Sequence, residues 1–515
     1  MESSSLWMEG HQPRFEAASQ PQIFDVAIVG GGITGLTAGY FLKQSGKKVC
    51  VIEKGQIGGG ETGHTSAHLA YPIDLRPTDL SRTFGKDGLR LTLEAGVTAI
   101  DAIETIVMDL GIDCGFQRVP GFLHASLKED RDETSALKAD FELVKELGFP
   151  ARFLPQGPVE GKPAVAFADN ALFHPLRYLT GIARAIDRDG SRVYENSEVT
   201  EFQEDPIRLK VNGAEIQAGS VVIGTHVPLM GNTGLVSATL FQTKLYPYSS
   251  YVVGARIPKG RFAPGLYWDT SDPYYYLRVH SNVDHDYAVF GGEDHKTGQV
   301  DDTEACFQRL EEMLRRLVPT AEVDRRWSGQ VVETNDGLPF IGETAKNQFV
   351  GTGYSGNGLT FGTIAGIMAR DAALGQSNPW QKIFSPSRKK VLGGAWDFLT
   401  ENMEVPYHFI TGWLTQGKEK SVRSVKAGEG KVLTLDGEKV ACHRDDEGTL
   451  YRCSAVCTHM GCIVRFNAAE KTWDCPCHGS RFLPTGEVIG GPAEMPLKTV
   501  GRKPTRRRTA SNSGS

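Results

Sequence analysis

Long apolar stretches are missing from this chain. No run reaches the roughly 18 apolar residues that a membrane-spanning helix needs, so no membrane span is expected. The start, Met1 to Gln22, has no basic cluster followed by an apolar segment. It does not read as a secretory signal, and a cytoplasmic location is expected. An excess of positive charge is missing as well. The 56 Lys and Arg against 62 Asp and Glu leave a net charge of −6, which gives no footprint for nucleic acid. No internal repeat is found. Cysteine is sparse ahead of position 400, where Cys50, Cys114 and Cys306 are scattered. The other six, Cys442, Cys453, Cys457, Cys462, Cys475 and Cys477, crowd the C-terminal part. In a cytosolic chain such a cluster points to metal before structural disulfides.

What is present divides into parts. The 515 residues allow two or three domains. Residues 1–22 are polar and expected to be disordered. A large unit is expected over 23–385, a linker over 386–420 and a small unit over 421–501. The linker holds Trp396, Phe398, Tyr407, Phe409 and Trp413, too apolar for a free tether, so it is expected to pack between the units. The small unit shows short strands with turns at Asp436–Gly437 and Glu447–Gly448, a compact antiparallel β pattern. The tail, 502–515, carries Arg506, Arg507 and Arg508 among small polar residues and reads as disordered.

A short apolar run, Phe24 to Val29, leads directly into Gly30-Gly31-Gly32-Ile33-Thr34-Gly35. A helix pattern follows from Ile33 to about Ser45, then a second strand from Lys48 to Glu53. Gly30 permits a tight turn, Gly32 lets a pyrophosphate approach the backbone, and Gly35 lets the helix lie close to the sheet. The helix N-terminus offers free N–H groups to the phosphates. Glu53 ends the second strand, where an acid accepts from ribose hydroxyls. The segment is therefore expected to bind a dinucleotide. Two further matches to G-x-G-x-x-G, Gly58 to Gly63 and Gly351 to Gly356, are not read as a separate nicotinamide site.

A second glycine-rich segment decides which dinucleotide. Thr334 to Gly342, followed by Phe349-Val350-Gly351-Thr352-Gly353-Tyr354-Ser355-Gly356-Asn357-Gly358-Leu359-Thr360, resembles the C-terminal flavin motif of the D-amino-acid oxidase superfamily, with glycine and sarcosine oxidases. The resemblance spans about Asp25 to Gly375. It implies FAD, with the first motif on the ADP half and Gly353, Gly356, Asn357 and Gly358 at the flavin ring. A helix N-terminus there would stabilise the negative charge of reduced flavin. The loop Gly58 to His68 also resembles the family's flavin-side loop, which brings in Thr62 and His64. In dimethylglycine dehydrogenase-like relatives a His at the place of His64 is covalently joined to flavin. The alternative is a His64 that only hydrogen-bonds within the loop.

The cysteine-rich part reads Cys457-Thr458-His459 and then, 15 residues on, Cys475-Pro476-Cys477-His478. Two thiolates can hold one iron and two imidazoles the other, as in a Rieske 2Fe–2S cluster. A structural zinc site from Cys457, His459, Cys475 and His478 is the alternative, and it leaves Cys462 and Cys477 unexplained. About Val422 to Val500 resembles cytochrome-bc-type Rieske domains. That resemblance implies a disulfide between Cys462 and Cys477, a serine hydrogen bond to the cluster from Ser480, and a covering loop at Gly490 to Ala493. Phe482 departs from it, since high-potential members carry tyrosine there. Rieske oxygenases feed a mononuclear iron on two His and a carboxylate. His280, His285 and His295 are the nearest candidates, without the usual spacing.

Tyr274 to His280 alternates as a strand does, with Tyr274, Tyr276, Arg278 and His280 on one face. Arg278 is expected to clamp a substrate carboxylate, with Tyr276 beside it; a solvated strand face is the bland alternative. Gly291 to Lys296 ends the next strand and is expected to border the pocket.

The expected fold is α/β and α+β: a Rossmann-like FAD-binding domain with a β-sheet substrate domain, then a small all-β Rieske domain. The expected activity is oxidation of a C–N bond in an amine or amino acid, with electrons passing from FAD to the cluster and to an external acceptor. An oxygen-using oxidase with an accessory cluster, and a non-catalytic electron-transfer protein, are the alternatives.

Overall fold

In the computed structural model, which describes residues 4–227, 244–388 and 407–501, the chain forms two units. One comprises Met1–His295 with Ala305–Phe398, the other Lys296–Glu304 with Leu399–Ser515.

The first unit is organised around Gln22–Val29, whose residues from Val26 onward are all buried. Such a continuous apolar run suits the interior of a parallel sheet covered on both faces. It pairs in parallel with Val49–Ile52 on one side and Ala214–Ile223 on the other. The eight-stranded sheet runs Phe340–Ala345, Gln348–Thr352, Ala214–Ile223, Gln22–Val29, Val49–Ile52, Arg192–Tyr194, with Ile207–Val211 and Val199–Glu204 added at Ala214–Ile223. Helix Ile33–Gln44 leaves the first strand through the glycine turn and is buried at nine of its positions. A helix apolar all round sits between layers. It packs on helix Gly358–Ala373.

A second, nine-stranded sheet holds Tyr276–Ser281 between Asp286–Lys296 and Gly265–Asp269, all antiparallel. Leu245–Ile257 pairs along its length with Glu322–Thr334. The α/β part and the mixed β-sheet part expected from the sequence are both present.

The first residues depart from the expected disorder of 1–22. Leu6–Met8 forms a 3₁₀ turn, Trp7 is buried, and its Nε1 donates to Thr65 O at 2.6 Å. Phe15 N donates to Glu195 at 3.0 Å and Ala18 N to Ser197 at 2.9 Å. A polar average hid a few anchors; one buried indole offsets the ordering of several residues.

In the second unit, Gly430–Leu435, Glu438–Arg444 and Leu450–Ser454 form one antiparallel sheet. Arg465–Asn467, Thr472–Asp474, Arg481–Phe482 and Val488–Gly490 form another. Asp436 and Gly437 both have positive φ (51° and 86°), as a two-residue hairpin turn requires. Trp473, Phe482 and Val464 are fully buried in the core. The unit starts earlier than the expected 421. Trp413 donates to Gly461 O at 3.1 Å and Thr434 to Gly417 O at 2.7 Å, so the last part of the expected linker, 386–420, is packed on it. It also takes in Lys296–Glu304. Thr303 Oγ1 donates to Asn467 Oδ1 at 2.8 Å, and Gln299 Nε2 to Pro476 O at 3.2 Å. A single cut along the sequence does not foresee a segment contributed from so far upstream. The tail 502–515 and the aromatics Trp396 and Phe398 lie outside the described residues. Among the described residues no helix is long and apolar enough to cross a membrane.

Candidate functional sites

The glycine turn has the geometry its residues promise. Gly30 has φ +106°, and a side chain there would meet Gly224 O at 2.6 Å. A Cβ on Gly35 would lie 1.9 Å from Gly30 O, so the helix is in backbone contact with the turn. At Gly32 the nearest atom to an added Cβ is Thr62 Oγ1, at 3.1 Å. Helix Ile33–Gln44 has no side-chain cap on its N-terminal N–H groups. Ile33 N reaches a side chain from elsewhere in the fold, Thr62 Oγ1, at 3.3 Å. Uncapped N–H groups at a bare glycine turn fit a pyrophosphate. Glu53 accepts from Gly31 N and Gly55 N, both at 2.8 Å, and so fixes the turn to the following loop.

The second glycine segment meets the first. Tyr354 OH lies 3.0 Å from Thr34 Oγ1. Gly353 has φ +73°, which turns the chain out of strand Gln348–Thr352 toward the next helix. Helix Gly358–Ala373 also begins without a side-chain cap. The Asn357 side chain is used elsewhere, accepting from Asp74 N at 3.2 Å and donating to Pro72 O at 3.4 Å. Gly356 N donates to Asp74 Oδ2 at 2.8 Å. Two bare helix N-termini joined through Thr34 and Tyr354 suit one long anionic cofactor. His64 ends the short helix Glu61–His64, with its Nδ1 2.9 Å from Gly60 O. His68 lies deeper. Its Nδ1 meets Ser66 Oγ at 3.0 Å, its Nε2 is buried without a partner, and burial lowers its pKa to about 3.

Arg278 is enclosed, not on a solvated strand face. It is only 3% exposed; its two terminal nitrogens donate to Ala67 O (3.2 Å) and Phe173 O (3.1 Å), and Trp7 covers it at 4.7 Å. Burial lowers its pKa to about 9. The guanidinium braces chain segments, and its Nε is buried without a hydrogen-bond partner. The strand pattern put Arg278 and Tyr276 on one face, and nothing in it foretold that Trp7 and two carbonyls would enclose the arginine.

Tyr276 instead joins a polar group that the sequence reading did not assemble. Its hydroxyl lies 3.0 Å from Ser250 Oγ, its ring 5.9 Å from Tyr274 and 5.4 Å from His68. Tyr274 OH donates to Asp74 at 3.1 Å. Ser250 hydrogen-bonds Asp294, whose pKa is raised to about 7 by burial and further by Asp74. The protein packed around Asp74 raises its pKa too, although its side chain keeps an exposed face. Asp294 lies in the Gly291–Lys296 stretch expected at the pocket edge. Asp74 carries no local signal, since it follows a two-residue strand, His68–Leu69.

In the second unit the two cluster loops face each other. The rings of His459 and His478 lie 4.8 Å apart, and Nδ1 of each is buried with no hydrogen-bond partner. Burial, and then His478 nearby, lower the His459 pKa to about 4; burial lowers His478. Both rings are thus neutral, as metal ligands must be. The thiol of Cys475 donates to Cys457, which holds Cys457 down to about 7 and pushes Cys475 up. Two orphaned imidazole nitrogens opposite two paired sulfurs fit the two-Cys, two-His cluster. Cys462 and Cys477 form a disulfide between the loops. Ser480 hydrogen-bonds Cys457 and accepts from Ala493 N at 3.1 Å, tying the covering loop down. Phe482 is fully buried. His280, His285 and His295 form no metal-ligand grouping among the described residues.

Comparison with known proteins agrees with this division. The family model of FAD dependent oxidoreductases matches residues 25–372, and that of the Rieske [2Fe-2S] domain matches 413–501. A putative Rieske 2Fe-2S iron-sulfur protein of Bacillus subtilis, YhfW, is 32% identical over 495 residues, 95% of each chain. Gamma-glutamylputrescine oxidoreductase of Escherichia coli is 24% identical, covering 70% of this chain and 86% of its own. The crystal structure of glycine oxidase from Geobacillus kaustophilus superposes with a TM-score of 0.59 at 21% identity. It covers 71% of this chain and 99% of its own.

Proposed function

We propose a function from one premise: this chain belongs to the FAD dependent oxidoreductase family and carries a Rieske [2Fe-2S] domain behind its oxidase unit. It oxidises the C–N bond of an amine or amino acid, and the electrons leave through the cluster to an external acceptor. When bound, FAD supplies the two-electron acceptor and the cluster a one-electron carrier. The observation that carries this reading is the presence in one chain of both donor sets. The joined glycine segments around Gly30 and Gly353 stand in one unit, and Cys457, His459, Cys475 and His478 in the other. The name of the Escherichia coli relative, an oxidoreductase of an amine, supports the substrate class.

Within the oxidase unit, the backbone from Gly30 to Gly35 and the uncapped helix behind it bind the pyrophosphate. Glu53 holds the turn in shape and offers its remaining acceptor capacity to the ribose. The helix start at Gly358 stabilises negative charge at the ring. Tyr276 lines the substrate side, and His64 is the candidate for a covalent link. The test is the fate of the electrons under turnover. Reduction of a one-electron dye with no hydrogen peroxide is expected. Stoichiometric peroxide, at a rate that Cys457→Ser leaves unchanged, would overturn the electron path.

A further inference from the structure

We infer that the oxidase unit selects cationic amines: Asp74 and Asp294, with the rings of Tyr274 and Tyr276, form a site for an ammonium group, and the substrate needs no carboxylate. The inference rests on the amine-oxidising reading above and narrows it.

Asp74 is anchored against the second glycine segment through Gly356 N and Asn357, and through Tyr274 OH, while keeping an exposed face. Asp294 is held through Ser250, which also meets Tyr276. Its Oδ1 is buried and has no hydrogen-bond partner. A buried carboxylate oxygen without a donor is costly, and a ligand N–H would relieve it.

Among the described residues, no side chain forms an ion pair that supplies the missing positive charge. Neither Asp74 nor Asp294 takes part in an ion pair among the described residues. Lys128, whose charge acts on Asp294, gives its Nζ to Pro273 O at 2.7 Å and lies over the Tyr275 ring. Glu293, the other acid nearby, is paired with Arg309 at 2.6 Å and accepts from Tyr275 at 2.7 Å. Arg278 is spent on carbonyls and Trp7. Two carboxyl groups without an ion-pair partner among the described residues, beside two tyrosine rings, favour an organic cation, which draws them into the ionised form through charge-assisted hydrogen bonds and the ring faces. The same pair repels a substrate carboxylate.

The test uses the full-length holoprotein and two probes of one shape. tert-Butylammonium has no α-hydrogen and cannot be oxidised; pivalate is its carboxylate counterpart. Titration of each is followed by the flavin absorbance, and butylamine is compared with glycine and sarcosine in anaerobic flavin bleaching. The inference expects tert-butylammonium to perturb the spectrum, pivalate not to, and butylamine to bleach the flavin. Asp294→Asn, with FAD content retained, should weaken tert-butylammonium about tenfold to a hundredfold, the loss of one charge-assisted hydrogen bond. Perturbation by pivalate alone, by neither probe, or bleaching by the amino acids but not butylamine overturns the ammonium site. If tert-butylammonium binds but no amine or amino acid bleaches the flavin, the amine-oxidising reading fails and the ammonium site stands. An Asp294→Asn protein without FAD leaves the decision to the two probes on the wild type.

Discussion

The cluster site and the oxidase site are built in opposite ways. All four proposed cluster ligands fall between Cys457 and His478, on two loops tied by the Cys462–Cys477 disulfide. The polar group of the oxidase draws Asp74, Ser250, Tyr274, Tyr276 and Asp294 from distant strands and loops. A site made of neighbours in sequence survives as a spacing. A site made by a sheet exists only after strand pairing sets which side chains meet.

That contrast sets the size of the effects. Cys457→Ser should abolish the cluster's paramagnetic signal and leave FAD in place. Gly32→Val should do the reverse, because a side chain there meets only Thr62 within 4 Å in the protein yet stands on the proposed path of the pyrophosphate. Iron and flavin content of the purified variants check both. Loss of both groups in either variant would break the division into independent sites.

Arg278→Met should act on stability rather than on substrate affinity. It leaves the carbonyls of Ala67 and Phe173 without donors, at about 1–3 kcal/mol for each buried group left unpaired. Denaturant unfolding should show the loss. An unchanged midpoint with a raised Michaelis constant for carboxylated substrates alone would restore the clamp.

The glycine turn, the helix after it and the Rieske domain were legible because each is a short segment whose chemistry is local. The register of Tyr276 with Arg278 was legible as an alternation, but the partner of each was not. Trp7 reaches Arg278 from the N-terminus, and Lys296–Glu304 joins the cluster unit from the middle of the chain. Neither leaves a trace in composition or spacing. Both depend on long-range packing of a few anchors within polar stretches.

A titration sharpens the oxidase side of the comparison. Asp294 is raised to about 7 by burial, so below that pH it is protonated and neutral. Cation affinity in the wild type should therefore fall as pH drops through about 7, and the step should vanish in Asp294→Asn. The stability sign follows. A carboxyl raised on folding weakens the folded state as pH rises from the unfolded value, near 3.9, to about 7. Asp294→Asn should lose that part of the pH dependence in denaturant unfolding.

The smallest effects are expected in the cluster's potential. Hydrogen bonds to the sulfurs stabilise the reduced cluster, so Ser480→Ala should lower the potential. Phe482→Tyr should raise it if the new hydroxyl reaches a ligand sulfur. The wild type should lie within the Rieske range of roughly −150 to +300 mV, below its upper end. Voltammetry of the holoprotein reads all three.

On the proposed function, electrons taken from an amine pass from flavin to cluster. Anaerobic rapid mixing with whichever amine bleaches the flavin fastest tests it most directly, with flavin and cluster absorbance followed together. The account predicts flavin bleaching first and cluster reduction second, with the second phase absent in Cys457→Ser. A cluster that stays oxidised through many turnovers, at a rate Cys457→Ser does not change, would contradict it.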